Sequence, residues 1–83
     1  MPDDDLEQRF GNLVRRMRKA EGYSQEGFAL RAGLHPTYLN SVEQGNRNIS
    51  MRTADQIAKA LGTSLSSLFS ELERGSNGPD RLP

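Results

Sequence analysis

The sequence predicts an all-α fold, a compact bundle of about five helices, and three observations carry that prediction. Apolar residues recur at helical spacing through most of the chain, and no run of alternating residues marks a strand. Glycines at 22, 33, 45 and 62 each close one of these periodic runs. Cap-forming serines stand just before several of the next runs.

Met1–Asp5 is a short polar lead, whose Asp3, Asp4 and Asp5 suit the positive end of a first helix. Leu6, Phe10, Leu13, Val14 and Met17 then mark one helical face ending near Gly22. The other face carries Arg9, Arg15, Arg16 and Lys19, which read most simply as its solvated side. Ser24 is the expected cap of a second helix of about two turns, with Phe28, Ala29 and Ala32 inward. Gly33 stops it, since glycine takes positive φ without steric penalty, and Leu34 turns back toward the core.

His35-Pro36 opens a third helix, because the N–H that proline lacks is unpaired at a first helical position anyway. Its inward residues are Leu39 and Val42, and Gly45 ends it. Asn46–Ile49 reads as a polar loop. Ser50 caps a fourth helix that buries Ala54, Ile57, Ala58 and Leu61. Thr63 or Ser64 caps a fifth, with Leu65, Leu68, Phe69 and Leu72 along one stripe. The expected organisation is a lead over 1–5, one domain over 6–74 and a flexible tail over 75–83.

A chain of 83 residues buries about 60–65% of its unfolded surface, so its stability is expected to be modest. Cysteine is absent, which excludes disulfides, thiolate metal sites and cysteine nucleophiles and suits a cytoplasmic location. No segment approaches the roughly 20 apolar residues of a membrane span. Net charge is zero, yet residues 15–52 hold seven basic and three acidic side chains, a local excess of +4 around the second and third helices. Such a patch suits a polyanion such as double-stranded DNA.

Two short helices joined at a glycine corner form a helix-turn-helix, a motif whose second helix lies in the DNA major groove. Once Leu39 and Val42 turn inward, the third helix presents Thr37, Tyr38, Asn40 and Ser41. Asparagine suits adenine through paired bonds to N6 and N7, and Ser or Thr reaches several bases or a phosphate. Tyr38 either offers its hydroxyl to a phosphate or is an ordinary amphipathic surface residue. Gln25, in the first turn of the second helix, is placed to hold a phosphate oxygen, or it is a solvent-facing helix starter. Arg47 and Asn48 follow in the polar loop as backbone or groove contacts.

The run Gln25, Ala29, Gly33, Leu39, Val42-Glu43 and Gly45, with the Ile57-Ala58-Lys59-Ala60-Leu61-Gly62 helix end, resembles the Cro and phage-repressor (XRE-type) helix-turn-helix family over roughly residues 6–72. Within it, GLHPTYLNSVEQGNRNIS looks most like the controller proteins of restriction–modification systems. The resemblance implies a five-helix domain that reads DNA with its third helix and dimerises through its C-terminal helix. It also implies base contacts at Thr37 and Ser41, and a structural ion pair between Arg18 and Glu43. A weak surface pair is the plainer alternative. In the controller subgroup the place of Pro36 is often basic, so target preference differs here.

The C-terminal stripe of Leu65, Leu68, Phe69 and Leu72 is more than one small bundle easily hides, and it is expected to form the dimer interface, with Phe69 or Leu72 nearest the axis. His35 has no metal-ligand spacing around it, the serines lack a paired base, and no glycine loop has phosphate-binding spacing. The sequence therefore points to no catalytic residue, no metal and no cofactor. The expected function is a homodimeric, sequence-specific regulator of transcription on a near-palindromic operator. The alternative is a protein-interaction module, antitoxin-like or an adaptor, on the same fold. Contact with RNA polymerase is left open.

Overall fold

The computed structural model describes residues 6–77, and the expected acidic cap at Asp3–Asp5 and the end of the tail lie outside them. Five helices follow one another: α1 (Leu6–Ala20), α2 (Gln25–Ala32), α3 (Pro36–Glu43), α4 (Met51–Ala60) and α5 (Leu65–Asn77). The described residues contain no strand. Helix α5 runs three residues past position 74, into the segment that reads as tail.

The helix ends are set by local chemistry. Ser24 Oγ accepts the Gly27 N–H at 3.0 Å, Ser50 Oγ accepts that of Thr53 at 3.1 Å and Ser64 Oγ accepts that of Ser67 at 3.0 Å. The cap of α5 is thus Ser64 rather than Thr63. At the start of α3 His35 acts as the cap, its Nδ1 accepting the Thr37 N–H at 3.1 Å, with Pro36 in the first turn. Gly33 closes α2 at φ 75°, and the Leu34 N–H returns to the Ala29 carbonyl at 2.8 Å.

Phe28, Leu39, Ile57, Leu68, Val14 and Val42 are the largest of the fully buried apolar side chains, and Phe10 and Leu13 join them in the core. Helix α1 crosses α3 at a site that tolerates no side chain. A methyl group on Gly11 would stand 2.3 Å from the Val42 carbonyl oxygen and 2.7 Å from that of Glu43. Helices α2 and α4 are tied by two polar links at their C-terminal ends. Arg31 Nε donates to the Ala60 carbonyl at 2.8 Å and Gln56 Nε2 to that of Ala32 at 3.0 Å.

Four positions depart from the apolar pattern. Leu6, on the expected inner face of α1 and its first residue, is half exposed. In α4 the buried set gains Ala60, while Leu61 is only partly covered. Ile49, in the loop that reads as polar, packs against the core and holds that loop down.

Candidate nucleic-acid interface

Helix α3 divides into an anchored and a free side. Leu39, Val42 and Glu43 are buried, Pro36 and Thr37 are exposed, and Tyr38, Asn40 and Ser41 are half-buried at the rim. The i, i+3, i+4 spacing of the buried three turns the others outward. Arg47 and Asn48 lie exposed in the following loop. The Arg47 guanidinium sits over the Tyr38 ring, 5.3 Å from its centroid, so helix and loop form one continuous surface.

The anchored side is built around Glu43. Its carboxylate receives Arg18 Nε at 2.6 Å and Arg18 Nη2 at 2.9 Å, and it has no exposed side-chain surface. The third arm of Arg18, Nη1, donates to the Tyr23 carbonyl at 2.8 Å. Gln25 Nε2 donates to Glu43 Oε1 at 3.0 Å, and exposed Arg15 stands 3.9 Å from the same oxygen. This is a satisfied buried ion pair, which fixes α1 and the start of α2 onto the end of α3.

Gln25 has a role that its position in the sequence does not disclose. Its second amide hydrogen goes to Asn40 Oδ1 at 3.0 Å. Both hydrogens of that side chain are therefore donated inside the protein, and its remaining oxygen is an acceptor like a phosphate's. These two bonds hold the Gln25 side chain at the start of α2 against the end of α3. The only sequence signal for the network is the i, i+4 relation of Asn40 to Gln44, whose Nε2 lies 3.5 Å from the same Oδ1.

The C-terminal stripe separates into two kinds of residue. Leu68 has no exposed surface and belongs to the chain's own core, so it has nothing to offer a partner. Leu65 and Leu72 are partly buried against that core, and Phe69 is 37% exposed. Phe69 and Leu72 line a groove whose apolar part includes Leu6, Phe10, Ile49 and Met51, and which Glu7, Ser50 and the Arg47–Asn48 loop also line. Among the described residues no group of three or more His, Cys, Asp or Glu side chains is placed to hold a metal ion, and no helix is long and apolar enough to cross a membrane.

Comparison with known proteins bears on this arrangement. A helix-turn-helix family model matches residues 14–68. Control protein C.MunI from Mycoplasma sp is 42% identical over 72 residues, covering 86% of this chain and 97% of its own. Control protein C.SmaI from Serratia marcescens is 39% identical over 74 residues, covering 83% and 88%. Among solved structures, the restriction-modification controller protein C.AhdI from Aeromonas hydrophila is 38% identical, with a TM-score of 0.73 over 76% of this chain and 96% of that one.

Proposed function

Because this chain belongs to the helix-turn-helix family of transcriptional regulators, we propose that it binds double-stranded DNA sequence-specifically as a homodimer and regulates transcription from a near-palindromic operator. The carrying observation is the anchored α3, whose inner side is locked through Glu43 while its outer side stays polar and next to Arg47. A helix held this rigidly presents its side chains in fixed register, as base reading requires.

In this reading Thr37, Asn40 and Ser41 meet base edges, while Tyr38, Arg47 and Asn48 hold the backbone and set register. The two α3 helices of a dimer enter successive major grooves with half-site centres about 34 Å apart. The groove beside Phe69 and Leu72 is the surface that pairs the two copies, since it is the apolar ground that the chain's own core leaves uncovered. Control of a restriction–modification system, the role named for C.AhdI, is the setting that the similarity supports. A cytoplasmic location follows from that role.

Mobility shift on mixed genomic fragments across a salt series tests the reading. Salt-sensitive binding that sequence selection resolves into paired half-sites is expected. Binding to no fragment at low salt would instead favour a protein-interaction module, a reading to which the 83% exposed Leu30 on α2 lends some support.

A further inference from the structure

The hydrogen-bonding polarity of Asn40 is fixed inside the protein before any ligand arrives. The carboxylate oxygens of Glu43 only accept. The Gln25 side-chain atom 3.0 Å from Oε1 is therefore the amide nitrogen, because a carbonyl oxygen there would set two acceptors against each other. The other hydrogen of that nitrogen points at Asn40, so the Asn40 atom 3.0 Å away is its acceptor, Oδ1. Gln44 Nε2 approaches the same oxygen at 3.5 Å. Asn40 Nδ2, with two hydrogens, makes no hydrogen bond among the described residues.

We infer that Asn40 reads an acceptor-only base edge, guanine N7 and O6, and that Gln25 is the positioning residue that imposes this choice. The inference rests on the reading in which α3 enters the DNA major groove. It departs from the adenine preference that asparagine carries when its amide is free, because adenine shows one acceptor and one donor and needs Oδ1 as well as Nδ2. Here Oδ1 already accepts from Gln25 Nε2 at 3.0 Å and from Gln44 Nε2 at 3.5 Å, so both of its lone pairs are engaged. Flipping the amide to serve adenine would set the Asn40 NH2 against the Gln25 NH2, breaking one bond and stranding a half-buried donor. Guanine, with two acceptors side by side, takes both Nδ2 hydrogens without disturbing the network.

Selection from a random DNA pool, carried out with the full chain, Asn40→Ala, Gln25→Met and the double variant, tests this. The half-site position that loses its preference in Asn40→Ala is expected to be guanine in the unmodified protein, favoured over adenine on the order of tenfold. Gln25→Met fills a similar volume without an amide and frees Asn40 to turn. It should bring the guanine-to-adenine ratio at that one position to within about threefold, with the other positions unchanged. In the double variant Gln25→Met should add nothing.

Adenine at the Asn40-dependent position overturns the inference. So does an Asn40→Ala profile that matches the unmodified one, or an unchanged ratio in a folded Gln25→Met protein. If Gln25→Met does not fold, the comparison with Asn40→Ala decides alone. Enrichment of no sequence by the unmodified protein, without salt-sensitive binding, overturns the DNA reading itself, a result distinct from specific binding with the wrong base.

Discussion

Arg18 and Glu43, 25 residues apart in the chain, meet as a two-pronged buried ion pair with bonds of 2.6 and 2.9 Å. Their side chains are 7% and 0% exposed, so each is the other's main replacement for water. The pair joins α1 to the end of α3. What holds the fold and what orients α3 are thus the same contact.

Removal of one partner strands the other charge. Glu43→Gln is expected to cost about 3–5 kcal/mol, and Arg18→Met a similar amount. For a domain this small that is a fall in Tm of more than 10 °C at roughly 4–8 °C per kcal/mol. Thermal unfolding followed by circular dichroism measures it, and a melting temperature unchanged by Glu43→Gln would show the pair to be energetically idle.

Gly11→Ala tests the α1–α3 crossing. Alanine favours a helix interior by about 1 kcal/mol over glycine, which on an open helix would stabilise the protein. Here the added methyl meets two backbone carbonyl oxygens at 2.3 and 2.7 Å, which cannot swing aside as a side-chain end could. Overpacking is expected to win, with a net loss of about 1–3 kcal/mol in urea unfolding. A gain in stability would mean that α3 can move away from α1 at little cost.

Arg47→Ala and Thr37→Ala are expected to separate two kinds of DNA contact. The first should weaken binding on every sequence and lower the slope of log K against log salt by about 1. The second should leave that slope alone and lower discrimination at its base position by about 1–3 kcal/mol. Titrations of operator and unrelated DNA at several salt concentrations distinguish them, and the opposite pattern would exchange the two roles.

Phe69→Lys and Leu68→Ala, neighbours in α5, should fail in different ways. Phe69 keeps 37% of its surface exposed, so a lysine there is expected to yield a folded monomer with strongly reduced operator binding. Leu68 is fully buried, and its truncation is expected to cost about 2–5 kcal/mol of folding stability. Sedimentation at micromolar concentration together with thermal unfolding reads both. A Phe69→Lys protein that still sediments as a dimer would move the interface elsewhere.

The sequence by itself determined the five helices, the caps at Ser24 and Ser50 and the glycine corner at Gly33, because each depends on spacing and on side chains a few residues apart. It also separated the inward Leu39 and Val42 from the outward Thr37 and Asn40, since helical period alone sorts those faces. Apart from the Arg18–Glu43 pair, which the family resemblance implied, it could not decide contacts between residues far apart in the chain. Leu65, Leu68, Phe69 and Leu72 share one stripe in the sequence, and only the packing of α5 on its neighbours assigned Leu68 to the core and left Phe69 open. Nothing near Gly11 in the chain announces that the end of α3 crosses it. Gln25 reads as a helix-start residue in the sequence, and only the tertiary structure showed its amide bonded to Asn40 and Glu43. The physical reason is that periodicity fixes where a side chain stands on its own helix, while the partner that uses up its hydrogen bonds is supplied by another helix.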